Sequence, residues 1–246
     1  MNETLAQLHA RKSVRAYLDK PIAPEEKRAI LEAACAAPTA GNQQLYTILD
    51  ITDQAVKATL ADTCDHQPFI ARAPMVLIFC ADCQKWYDAY QAGGCQPRAL
   101  GPGDLLLAFS DANIAAQNAV TAAWSLGIGS CYIGDILERC ETHRALLSLP
   151  EYVVPAALVV FGYPTDQQKI REKPRRRAME HIVHENTYRR MDGVELEAML
   201  ADHAGQRSYT DWLQAFCQRK YNSDFSREMS RSAAEYLKQF LPGPGA

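Results

Sequence analysis

The sequence has no long hydrophobic run. Its longest apolar stretches, residues 75–81 and 153–161, are far shorter than a bilayer span requires. It also lacks a dominant charge: 26 Lys and Arg against 29 Asp and Glu leave a formal net charge of -3, which gives no global pull toward nucleic acid or anionic lipid. Neither a nucleic acid nor a membrane is therefore an expected partner, and the basic stretch Lys169 to Arg177 does not change that without a nucleic-acid fold signature. Met1-Asn2-Glu3-Thr4-Leu5 lacks a basic segment followed by an apolar one, so no secretory signal is expected and the expected location is the cytoplasm. The G-x-G-x-x-G fingerprint of a separate doubly wound dinucleotide domain is missing, and no internal repeat is visible.

Cysteine is present eight times but without a pairing pattern, which in a reducing compartment means small buried hydrophobes. Cys80-Ala81-Asp82-Cys83 has the spacing of a metal or redox pair. A metal site needs about four ligands and only Cys95 is near, while Cys80 ends an apolar run that reads as a strand. Packing at a strand end is the better reading, and no metal is expected. His181 and His184 stand three apart without a third ligand.

What is present is ordinary globular material. With 246 residues, 48% of them apolar, the chain can bury one core, or a core with an appendage. Pro24-Glu25-Glu26 opens a helix that Pro38 stops, and residues 45–51 alternate as a strand. Residues 55–64 read as a helix, 75–80 as a buried strand and 86–103 as an irregular lid or insertion. Asp104 is placed to cap a long alanine-rich helix, 105–126, that ends at Gly127. A short extended piece (130–133), a helix from Asp135 to about Leu149 and the strand 155–161 follow. Strands interleaved with helices and one apolar central helix predict an α+β fold with helices packed on the sheet. From Val194 the pattern is helical only, with Trp212, Phe216, Tyr221, Phe225, Tyr236 and Phe240 spaced as anchors. We therefore divide the chain into a core, 1–192, and a helical C-terminal extension, 193–246, ending in the linker-like tail Pro242-Gly243-Pro244-Gly245-Ala246.

Three stretches carry chemistry. Arg11-Lys12-Ser13-Val14-Arg15 offers cations and a hydroxyl, Ala37-Pro38-Thr39-Ala40-Gly41-Asn42-Gln43-Gln44 offers amides on a turn, and Gly127-Ile128-Gly129-Ser130-Cys131-Tyr132-Ile133-Gly134 offers a glycine-punctuated backbone that a flat ligand can approach. A basic run, Lys173-Pro174-Arg175-Arg176, adds cations. Taken singly, each has a plain structural reading: a solvated basic face, a helix stop, a helix end followed by a strand. Cys131 has no histidine or triad spacing that would make it a nucleophile.

Together, and in this order, the four motifs closely resemble the FMN-dependent nitroreductase family over roughly residues 5–190. The resemblance implies a central mixed or antiparallel sheet flanked by helices in an intertwined homodimer. It implies bound FMN, with NADH or NADPH as electron donor. Arg11, Lys12, Ser13 and the run with Lys173, Arg175 and Arg176 would hold the phosphate and ribityl, and Arg15 the pyrimidine edge. Pro38, Thr39, Ala40, Asn42 and Gln44 would reach FMN held by the other subunit. Gln67, Tyr132, Ile133 and Gly134 would line the ring. No side chain is implied as a catalytic acid or base, because the flavin carries the chemistry. The expected activity is a two-step exchange in which the donor reduces FMN, leaves, and a small aromatic acceptor such as a nitroaromatic, quinone or flavin is reduced. Trp86, Tyr87 and Tyr90 suit an acceptor pocket or plain packing equally. Two alternatives stand beside this: a non-enzymatic FMN-binding sensor or carrier, and a family variant such as a dehalogenase or flavin-fragmenting enzyme.

Overall fold

The computed structural model describes residues 1–241; the proline- and glycine-rich tail noted above lies outside the described residues. Contacts divide the chain into a first unit, Met1–Arg171 with the segment from Met229 onward, and a second, Glu172–Glu228.

The first unit is a sheet between two layers of helices. Among the described residues its strands are β1 (Tyr46–Asp50), β2 (Met75–Asp82), β3 (Gly129–Ile133) and β4 (Val153–Gly162), in the order β1-β2-β4-β3 and antiparallel throughout. Both faces are covered, which is why β2 and β4 read as continuous apolar runs and are buried along their whole length. Leu77, Phe79, Val159 and Phe161 face helices α2 (Pro24–Cys35) and α6 (Pro102–Ser125). Val76, Ile78, Leu158 and Val160 belong to the opposite core with Leu60 of α3 (Gln54–Thr63), Ile70 of α4 (Phe69–Arg72) and the flanks of α7 (Cys140–Leu146). The remaining helices of this stretch are α1 (Glu3–Ala10), α5 (Gln84–Ala92) and α8 (Asp166–Ile170).

Helix α6 reaches the middle of the sheet because its inward face is built of small residues. Ala108, Ala112, Ala115, Ala116, Ala119 and Ala123 are fully buried, recurring at helical spacing so that backbone and strand approach closely. It stops at Gly127, whose φ of 75° allows the amides of Gly127 and Ile128 to close on the last carbonyls.

Three local expectations are corrected. Residues 86–103 are not one irregular segment: α5 (Gln84–Ala92) occupies the first part and packs Trp86 against the core. Only the stretch between Gly93 and Gly101 is without regular structure, and α6 begins at Pro102. Asp104 caps α6 from inside its first turn, accepting from the Gly101 amide at 2.8 Å while Arg98 grips both its oxygens at 2.7 and 2.9 Å. The single helix expected from Asp135 is a 3-10 turn (Gly134–Leu137) and the short α7, separated by Arg139 in a left-handed conformation (φ 50°).

In the second unit lie α9 (Gly193–Leu200), α10 (Tyr209–Lys220) and the start of α11 (Asp224–Leu237). Asp192 caps α9 through the Glu195 amide, and Trp212 stacks with Phe216 at 5.2 Å. Of the expected aromatic anchors, Tyr236 and Phe240 are buried in the first unit's core, whereas Tyr221 is 76% exposed and anchors nothing. No helix among the described residues is long and apolar enough to cross a membrane.

Candidate functional site

The first and third motifs meet at the β3 edge of the sheet. The segment after α1 runs beside β3: Ser13 bridges to Ser130, and the Val14 amide donates to the Ser130 carbonyl at 2.9 Å. This approach is close enough to require glycine at 129, where an added Cβ would stand 2.5 Å from Val14. Ser13 and Arg15 thereby reach Cys131. Burial pushes that thiol up, opposed by Arg15, Ser13 and Arg11. The Tyr132 hydroxyl is pushed up to about 12 by burial, with Arg11 again opposing. Gln67, before α4, donates to the Asp135 carboxylate at 3.1 Å and so lies next to Gly134.

The three basic side chains here differ in what they already hold. The ammonium of Lys12 donates to the carbonyls of Lys169 (2.6 Å) and Arg171 at the end of α8, and is consumed in tying that turn to the motif. Arg15 is exposed, and its amide is fixed by Gln168 at 3.2 Å. In Arg11 the nitrogen Nη1 is buried without a hydrogen-bond partner among the described residues. A buried guanidinium N–H with no acceptor is costly; it is the position an anion would satisfy.

The second motif lies at the opposite edge, leading into β1, with β2 and β4 between it and β3. Three interstrand steps put the two edges about 14 Å apart. Thr39, Ala40 and Leu45 converge on the buried carboxylate of Asp111 in α6: Thr39 donates its hydroxyl, Ala40 its amide at 3.0 Å and Leu45 its amide at 3.2 Å. The Gln44 amide donates to the Thr39 hydroxyl at 2.7 Å, and the Gln44 side chain to the Cys35 carbonyl at 3.1 Å. Pro38, Gly41, Asn42 and Gln44 remain exposed.

Next to this loop is a cleft of about 510 Å³ lined by Gln43, Trp86, Tyr87, Tyr90, Arg98 and Leu107 among others. Trp86 donates its indole N–H to the Gln43 carbonyl at 2.7 Å and packs on Tyr90 at 5.6 Å. Cys83 also lines it; burial pushes the thiols of Cys80 and Cys83 up to about 12, which leaves neither as a thiolate.

Lys173, Arg175 and Arg176 belong to the second unit. There Arg175 and Arg176 line a basin with His181, Met199 and His203, and Arg175 stands 3.8 Å from Asp202. Sequence reasoning passed over Asp111. Its signal was available: a lone acid in the middle of an alanine-rich apolar helix.

Comparison with known proteins gives the geometry a family. The sequence profile of the nitroreductase family matches residues 8–163. An FMN reductase [NAD(P)H] of Bacillus subtilis is 31% identical over 97% of this chain and 92% of its own length. An oxygen-insensitive NADPH nitroreductase of Salmonella typhimurium is 35% identical over 78% of this chain and 77% of its own. Among solved structures, an NADPH:FMN oxidoreductase from Vibrio harveyi in complex with NAD+ superposes with a TM-score of 0.81 at 25% identity, covering 96% of this chain and 98% of that one. With its profile running from the end of α1 to the end of β4, through the basic segment, the turn and the glycine-rich strand, the chain belongs to the nitroreductase family.

Proposed function

We propose that this chain is an FMN-dependent NAD(P)H oxidoreductase that works as a homodimer and reduces a nitroaromatic, quinone or flavin-like acceptor by a ping-pong exchange. The observation that carries the reading is the buried, unpartnered Nη1 of Arg11 at the β3 edge, beside a hydroxyl and a glycine-rich backbone. That is a donor set suited to a phosphate and a flat ring. FMN, when bound, supplies a ring that accepts hydride from NADH or NADPH and yields it to the acceptor. Arg11 and Ser13 would hold the phosphate, while Lys12 shapes the segment from behind by fixing residues 169–171. Arg15 supplies a cation for the pyrimidine edge, and Gln67 and Tyr132 to Gly134 line the ring. Lys173, Arg175 and Arg176 are further cations for the phosphate in this reading.

The sheet order supports the homodimer. Pro38, Thr39, Ala40, Asn42 and Gln44 sit at the edge opposite Arg11 and Gly134, an arrangement that suits a second copy bringing its turn to the ring held at the β3 edge. The aromatic cleft beside Gln43 then lies next to the ring of the other subunit and takes the flat acceptor. We place the protein in the cytoplasm, where its donor is found; all eight thiols are free. The names of the relatives support the donor and the flavin. The test is steady-state: NADPH or NADH consumption that needs both FMN and an added nitroaromatic, with parallel double-reciprocal lines. Consumption that ignores the acceptor, or intersecting lines, contradicts the exchange.

A further inference from the structure

Burying a carboxylate in an apolar helix is expensive unless its oxygens are filled with hydrogen bonds. Asp111 is 2% exposed and sits among Ala108, Ala112 and Ala115 on the inward face of α6. The donors that fill it come from one place, the turn between α2 and β1: the Thr39 hydroxyl and the amides of Ala40 and Leu45. The two ends of that turn are thus clamped on one acidic group.

Between the clamped ends the backbone is held in an uncommon shape. Gly41, Asn42 and Gln44 have φ of 56°, 57° and 49°. Two of these are not glycine, and a side chain in the left-handed region persists only where its surroundings impose it. The constraint comes from three directions: Asp111 from α6, the Trp86 indole from α5 on the Gln43 carbonyl, and the Gln44 side chain on the end of α2. Asp111 accepts the largest number of these bonds, and Pro38, Gly41, Asn42 and Gln44 stay exposed on the turn it holds.

We infer that Asp111 is a positioning residue, setting the shape in which residues 39–44 are presented to the cofactor of the partner subunit; this rests on the cross-subunit reading proposed above. Asp111 touches neither cofactor nor acceptor. It acts through Thr39, Ala40 and Leu45, so its loss should loosen flavin binding without removing any flavin contact.

The test combines FMN titration of the apoprotein, followed by flavin fluorescence, with amide exchange at Ala40 and Leu45. Asp111→Asn and Thr39→Val should each raise the FMN dissociation constant about tenfold, as expected when a bond to a buried charge is lost, and Asp111→Asn should speed exchange at both amides. The double variant should add little to the larger single effect, because both cut the same link. Ile30→Val, a core change in α2 that cuts none of these bonds, controls for stability: it should lower Tm without moving the dissociation constant. If Asp111→Asn does not fold, Thr39→Val carries the test through amide exchange at Ala40 and Leu45 in the apoprotein, which the loss of a flavin contact would not speed. Variants that lower Tm as Ile30→Val does, while binding FMN like wild type, overturn the inference and leave the proposed function standing. A wild-type protein that binds no FMN overturns both.

Discussion

The amide of Val14 donates to the carbonyl of Ser130 at 2.9 Å, and this bond sets the basic segment against the glycine-rich strand. It links positions far apart in sequence through a strand order that no local pattern announces, and the β3 half of the site depends on it.

Gly129→Ala tests that link. Its Cβ would meet Val14 at 2.5 Å, which is overpacking of about 2 kcal/mol, and residues 11–15 would be forced off β3. Urea unfolding should show the loss of stability and an FMN titration the loss of affinity. Gly103→Ala, with nothing near its Cβ, should show neither; equal behaviour of the two would contradict the packing argument.

Arg11 and Lys12 should separate. Arg11→Met removes a cation with an unsatisfied buried nitrogen, so the apoprotein should be no less stable while FMN binds about tenfold to a hundredfold more weakly. Lys12→Met breaks two bonds to carbonyls and should lower Tm. Thermal melts with and without FMN read both effects.

Mixed dimers test the sheet-edge argument. Arg11→Met damages the half at β3 and Thr39→Val the half leading into β1. Co-folded from the two variants, a heterodimer should recover one tight FMN site, where each parental homodimer has none. No recovery would mean that both halves act within one subunit.

His143 gives a pH prediction. It is buried, with Nδ1 on the Ile136 carbonyl at 2.9 Å and Nε2 on the Thr63 hydroxyl at 2.8 Å, and burial holds its pKa below the ordinary 6.5. The unfolded state therefore takes up the proton first as pH falls. The stability this residue contributes is complete above about pH 6.5 and declines below it, through the window down to the lowered folded-state value. The urea midpoint should fall between pH 7.5 and 5.5, with a shallower fall in His143→Gln.

Much of the fold was readable. The apolar runs of β2 and β4, the proline and acids opening α2, and the alanines of α6 each signal an element through a simple physical demand. The helix α5 was hidden because Gly93, Gly94, Gly101 and Gly103 lie close after it, and its Trp86 needs a core to pack on before its amphipathic pattern has meaning. The break at Arg139 was hidden because a left-handed arginine has no sequence mark. At the site, the motifs were legible as residues, while their arrangement was not: that Thr39 and Arg11 stand at opposite edges depends on strand order, and that Asp111 clamps the turn depends on where α6 crosses the sheet.

The most direct measurement is the absorbance spectrum of the purified protein supplied with FMN, taken before and after anaerobic addition of NADPH and then NADH. The account predicts a bound-flavin spectrum that bleaches with at least one of them and returns when a nitroaromatic is added. A protein that retains no FMN after gel filtration, or whose flavin stays oxidised with both donors, would contradict it.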